Sequence, residues 1–216
     1  MKTGITEKKR AVESQGTGLI ADPIYHYMVM TDRIAGEKTE RDVIDSPYVQ
    51  RLRRIFQLQS ARWVFPSAEH TRFQHSLGTM HVAGVFSEQL YPSLFDLFKS
   101  ELPSFSYIEE LLRMAGLLHD IGHGPFCHFF DEQYLSRFKT NHEEIGQHII
   151  LEKVSSILKG IRRSVRGPFR RSEALDPEQV AFLIKRPLKR ERRRHPEWLV
   201  FLRQLFRGIF TFDNID

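Results

Sequence analysis

Three imidazoles and a carboxylate fall within ten residues in the run His119-Asp120-Ile121-Gly122-His123-Gly124-Pro125-Phe126-Cys127-His128. Neutral imidazole offers nitrogen and carboxylate offers oxygen, so His119 and Asp120 together can take a divalent cation. An isolated His-Asp pair more often only satisfies backbone groups at a helix end. Here His123, His128 and the glycines shift the balance toward a site. Gly122, Gly124 and Pro125 break a helix and let backbone approach closely.

The elements around this run must position it. Ile108, Leu111, Leu112, Ala115 and Leu118 recur at three-to-four-residue spacing, which predicts a helix. His119 returns to that same face, so it should look inward from the last turn, while Glu109, Glu110 and Arg113 point elsewhere. A second helix is expected from about 75 to 90, with His75 sharing a face with Val82 and Phe86. Arg72, just before it, has a rigid fork suited to gripping two phosphate oxygens. Thr140-Asn141-His142-Glu143-Glu144 reads as a capping sequence and puts His142 in the first turn of a third helix. The partial positive charge there favours anions.

The flanking chain reads as follows. Residues 22–30 alternate roughly and suit a short strand or hairpin. Val43, Ile44, Val49, Leu52, Ile55 and Leu58 form an apolar stripe, with Ser46-Pro47 starting a new helix. Gln50, Arg51, Arg53 and Arg54 decorate its open side, and Arg53 and Arg54 read as solvated. Residues 92–103 form a loop or short helix. Asp176 caps a helix running to Ile184, and 198–209 is helical again. The fold class is therefore all-α, with at most a short N-terminal β-hairpin.

The chain of 216 residues, 41% hydrophobic, suits one globular domain. Residues 1–18 are polar and read as a flexible lead-in, and 19–216 as the domain. The single cysteine, Cys127, excludes an internal disulfide and fits a reducing cytoplasm. No apolar stretch approaches the roughly 18 residues of a membrane span. Net charge is +5, and 160–195 carries twelve basic residues against four acidic ones. That segment reads as a mobile, solvated insertion. Weak nucleic-acid binding is the alternative, since clustered cations neutralise phosphates, but few aromatics are present for base stacking.

His75 within Thr71-Arg72-Phe73-Gln74-His75-Ser76-Leu77-Gly78, then His119-Asp120, then Asp213, resembles the H…HD…D pattern of the HD-domain phosphohydrolases. The longer blocks 45–55, 70–78 and 119–131 resemble the branch containing the deoxynucleoside triphosphate triphosphohydrolases (dGTPase-like enzymes). The likeness runs from about 22 to 216 and is weakest across 155–200. It implies an HD-domain helical fold and one divalent ion (Mn, Mg, Fe, Ni or Zn) held by His75, His119, Asp120 and Asp213. It implies water attack on the α-phosphorus of a nucleotide substrate, releasing a nucleoside and tripolyphosphate.

In that setting His142 is the first choice as general acid and His123 the second, as a phosphate-contacting or proton-handling group. Asp131 is placed to orient an imidazole, with His128 behind the site. Gln57 and Leu58 match positions near the nucleoside. The resemblance also implies a homo-oligomer and a further C-terminal stretch, so the chain is expected to be trimmed or reduced. The alternatives are an HD phosphatase or nucleotidase acting on another phosphoester, and a non-catalytic HD module that binds nucleotide or nucleic acid.

Overall fold

The computed structural model describes residues 16–185, 195–207 and 211–216. A hairpin comes first: β1 (Thr17–Asp22) pairs antiparallel with β2 (His26–Thr31), setting Leu19 opposite Val29. It takes in Thr17 and Gly18, the end of the expected lead-in; residues 1–15 lie outside the described residues. Met28 and Met30 pass from the hairpin into the core. Next come α1 (Glu40–Ile44) and α2 (Pro47–Gln50), the second with Pro47 at its first position and the Ser46 side chain accepting from Val49 N–H. Val43, Ile44, Val49, Leu52 and Ile55 are buried as the stripe requires, but Leu58 is 46% exposed. The backbone turns extended at Ile55, so the helical phase is lost before residue 58.

Two helices carry the site. The first, α3 (Arg72–Phe98), begins with a capping box between Thr71 and Gln74. It runs past the expected end at 90 and straight through Pro92. Proline removes one backbone hydrogen bond, yet Leu94 is fully buried and Leu90, Tyr91 and Phe98 pack on the core. That burial holds the extra turns. The second, α4 (Phe105–Leu118), is capped by Ser104 and is buried from Tyr107 to Leu118 on every side. Glu109, Glu110 and Arg113 therefore do not face away from the interior as the stripe suggested. A one-sided apolar stripe describes a surface helix, and α4 is central. Arg113 Nε donates to Glu40 Oε1 at 2.6 Å, and the guanidinium also reaches the Val29 carbonyl at 2.8 Å. Burial pushes the Glu109 and Glu110 carboxyls up from the usual carboxylate range. Where α3 crosses α4, a Cβ on Gly116 would stand 2.9 Å from the Thr79 carbonyl, so glycine there permits backbone contact between the two helices.

After the central run come α5 (Cys127–Gln133) and α6 (His142–His148), which passes through a wider turn at Ile149–Lys153 into α7 (Ser155–Leu158). The Asn141 side chain caps α6 by accepting from Glu144 N–H. A small ladder, β3 (Arg163–Ser164) with β4 (Gly167–Pro168), leads to α8 (Pro177–Ile184), capped by Asp176. From 160 to 185 the expected mobile insertion instead packs into the core, because Ile161, Leu175, Val180 and Leu183 are buried. The charge run 186–194 lies outside the described residues. The chain continues with α9 (Glu197–Leu202) and α10 (Phe212–Ile215). Among the described residues no helix is long and apolar enough to cross a membrane.

Candidate metal centre and adjoining histidine cluster

His119 follows α4 in helical geometry, φ −57° and ψ −36°. Its Nδ1 lies 2.7 Å from the Gly116 carbonyl oxygen. A carbonyl only accepts, so Nδ1 carries the hydrogen and Nε2 keeps a lone pair. That Nε2 has no hydrogen-bond partner among the described residues. It stands 3.3 Å from Asp120 Oδ2 and 3.5 Å from Asp213 Oδ1.

His75 arrives from the first turn of α3. Its Nε2 is 2.8 Å from Asp213 Oδ1 and 3.9 Å from Asp120 Oδ2. Its Nδ1 is 2.7 Å from Asp216 Oδ2, while Asp216 Oδ1 accepts from the Tyr25 hydroxyl at 2.7 Å. Thus His75, His119 and Asp213 bring donor atoms together, and Asp120 borders them through its Oδ2. In the protein without a cation, burial works against a charged His119, but the Asp120 and Asp213 carboxylates outweigh it and push the imidazole up to about 10. The Asp120 and Asp213 carboxyls are held below their ordinary range. A field that holds a proton on this imidazole would hold a divalent cation there instead. The orphaned Nε2 and the two facing carboxylates fit such an ion, with two nitrogens and two oxygens on offer.

Beside this centre lies a second group. His123 is 1% exposed, and burial pushes its imidazole down to about 4, so it is neutral near pH 7. Its Nε2 is 3.3 Å from Asp120 Oδ1. The His142 ring stacks on it, 3.8 Å between centroids and 13° between planes. Asp131 Oδ2 pairs closely with His142 Nδ1, and His128 stands edge-on to both rings. This assembly depends on Gly122. A Cβ there would lie 1.9 Å from the His142 carbonyl, so only glycine lets the 119–123 loop rest against the first turn of α6.

A cavity of about 180 Å³ connects the groups, lined by Arg72, His119, Asp120, His123, His142 and Asp213 among others. A neighbouring cavity of about 460 Å³ opens on the His75 and Asp213 side against Tyr25, His70 and Gln74. Gln57 lines both, and its Oε1 is buried without a partner among the described residues. Leu58 lines neither. Arg72 lines the smaller cavity, but its fork is engaged: one arm pairs with Asp120 Oδ2, and Nε donates to Cys127 Sγ at 2.9 Å.

Three participants escape a reading of the sequence. Arg51 turns inward and donates to the His123 carbonyl at 2.7 Å and to the Ile121 carbonyl, bracing the loop. Cys127 seats Arg72. Asp216 backs His75; the only hint in sequence is its three-residue spacing from Asp213, which puts both on one helical face.

An HD domain model matches residues 72–196 of this chain. The chain belongs to the HD domain family. It is 33% identical over 171 residues to the human deoxynucleoside triphosphate triphosphohydrolase SAMHD1, covering 77% of this chain and 24% of that protein. The Dictyostelium discoideum SAMHD1 homolog is 32% identical over 177 residues, covering 76% and 31%. An uncharacterized Bacillus subtilis protein, YwfO, is 34% identical over 142 residues, covering 65% and 29%. The chain thus spans roughly a quarter to a third of the length of these three relatives. Among solved structures, a hypothetical protein from Aquifex aeolicus superimposes with a TM-score of 0.61 at 30% identity, covering 93% of this chain and 44% of that one. A phosphohydrolase from Bacteroides thetaiotaomicron gives 0.61 at 27%, covering 92% and 40%. The family match takes in His75, His119, Asp120, His123, His128, Asp131 and His142; Asp213 lies beyond it.

Proposed function

We propose that residues 19–216 form an HD domain carrying the catalytic centre of a metal-dependent phosphohydrolase. Its substrates are deoxynucleoside triphosphates, and its products are the deoxynucleoside and tripolyphosphate. The observation that carries this reading is the grouping of donor atoms from His75, His119 and Asp213, with an unsatisfied His119 nitrogen among them and Asp120 Oδ2 3.3 Å from that nitrogen. The similarity to the SAMHD1 deoxynucleoside triphosphate triphosphohydrolases supports the choice of substrate.

In this proposal His75, His119, Asp120 and Asp213 hold one divalent ion. When bound, such an ion supplies Lewis acidity and brings the pKa of a water ligand toward roughly 7. Arg72 fixes the Asp120 carboxylate and adds positive charge to the cavity wall. Water attacks the α-phosphorus in line with the leaving 5′-oxygen. His142, turned by Asp131, gives its proton to that oxygen. His123, neutral, keeps its Nε2 on Asp120 and lines the wall beside the phosphates, and the exposed His128 flanks it. Gln57 meets the nucleoside side. A homo-oligomer working in the cytoplasm completes the reading.

The test is product analysis. Purified protein loaded with Mn²⁺ is given each of the four deoxynucleoside triphosphates, and products are separated by ion-exchange chromatography. Deoxynucleoside with tripolyphosphate is expected, and His119→Ala should abolish it. Orthophosphate or a nucleoside monophosphate would transfer the chain to the phosphatase alternative. Tight nucleotide binding without turnover would make it a binding module.

A further inference from the structure

We propose that His123, His128, Asp131 and His142 form a second cation site, suited to a Zn²⁺-class transition metal and separate from the first centre. One ligand atom from each of the four lies within 4.8 Å of every other. Three imidazoles and one carboxylate make a softer donor set than two imidazoles and two carboxylates, and tetrahedral Zn²⁺ or Co²⁺ suits it.

Two atoms in the cluster are left over. His123 Nδ1 and Asp131 Oδ1 are buried without a hydrogen-bond partner among the described residues. With His123 Nε2 turned to Asp120, Nδ1 is the nitrogen remaining for a cation. A buried polar atom without a partner is costly, and a bound ion would satisfy both. Ligand atoms around tetrahedral zinc stand about 3.4 Å apart. Closing from 4.8 Å requires the His142 ring to turn out of its stack on His123 and Asp131 to release His142 Nδ1, rotations open to the exposed His128 and the partly exposed Asp131 and His142. The exposure of His128 also gives an ion a way in.

Asp120 ties the two sites together, with Oδ1 toward His123 and Oδ2 toward His119. The functional consequence rests on the proposed hydrolase reading. A cation on this cluster displaces the proton of His142 to solvent and occupies its lone pair. The proton donor for the leaving group is then lost, so a Zn²⁺-class ion inhibits an enzyme whose first centre holds Mn²⁺.

Metal counting tests the site without reference to activity. Chelator-stripped protein is dialysed against excess Zn²⁺ or Co²⁺ and its bound metal measured by plasma mass spectrometry, with circular dichroism confirming the fold of each variant. Two equivalents are expected in the wild type, one in His128→Ala and one in Asp131→Asn. One equivalent should also survive in His119→Ala, and its Co²⁺ adduct should keep a visible absorption band. A single equivalent that vanishes in His119→Ala would overturn the proposal. So would two equivalents unaffected by both His128→Ala and Asp131→Asn. In a parallel assay at saturating Mn²⁺, added Zn²⁺ should lower hydrolysis, and stimulation would overturn the inhibitory role. Absence of hydrolysis altogether would count against the proposed function and leave the metal count standing.

Discussion

The decisive side chain is His119, because its hydrogen bonding leaves one nitrogen with nothing to do. The Gly116 carbonyl takes the Nδ1 hydrogen, and Nε2 then looks at two carboxylates. Burial works against a charge there, but those two carboxylates outweigh it and push the imidazole up to about 10 from an ordinary value near 6.5. A raised value in the folded state stabilises the fold fully below about 6.5, and that contribution is lost as pH climbs through about 10. Chelator-treated wild type should therefore lose several more degrees of Tm between pH 6 and pH 10 than His119→Gln does, as read by differential scanning fluorimetry. Equal slopes would mean that the site does not hold the proton. The stabilisation from added Mn²⁺ should grow over the same range, since the cation competes with that proton.

At the level of elements, the site exists because backbones touch. Gly116 lets α4 press on α3, which sets His119 beside His75. Gly122 lets the loop after α4 press on α6, which sets His123 beneath His142. The two contacts should separate in their effects. Gly122→Ala must push the first turn of α6 away from the loop, because its Cβ would fall 1.9 Å from the His142 carbonyl. The first centre stays whole while His142, the proposed proton donor, moves. Displacements near 1 Å can cost about 100-fold in rate. We expect kcat to drop by about that factor while first-centre metal content holds; loss of that metal as well would mean the loop supports both groups.

The whole molecule is arranged around a helix that carries charge through its core. Arg113 and Glu40, both nearly inaccessible, pair at 2.6 Å and join α4 to the N-terminal hairpin and α1. Removing one partner of a buried pair costs about 3–5 kcal/mol, since the other is left charged and alone. Urea unfolding of Arg113→Leu should show a loss of that order, and much of it should return in the double variant with Glu40→Leu. At the surface the picture differs. Of the basic segment, Arg166 pairs with Glu88 at 2.6 Å, Arg163 lies 3.7 Å from Glu37, and Arg170 lies 3.9 Å from Glu173. Cations already matched in this way release few counterions on meeting DNA. Replacing Arg163 and Arg166 by Gln should leave the salt dependence of any DNA binding unchanged in filter-binding assays; a shallower slope would assign these residues to a nucleic-acid face.

The sequence by itself determined which donor groups lie close together along the chain and much of the local structure. The periodicity before His119, the proline at the start of α2, and the caps at Asn141 and Asp176 were legible because each depends on neighbours a few residues away. The central run showed through residue type which nitrogen and oxygen donors it offers, and the resemblance supplied the ligand set His75, His119, Asp120 and Asp213 as an expectation. What only the tertiary structure decided depends on partners far along the chain. No local rule shows that Arg113 meets Glu40, that α4 is enclosed on all sides, or that burial carries α3 through Pro92. Nor does one show that Arg72 spends its fork on Asp120, that Arg51 braces the loop, or that 160–185 packs rather than floats. Local preference follows from steric and hydrogen-bonding terms within a turn or two, whereas burial and charge pairing follow from which surfaces meet once the chain has closed on itself.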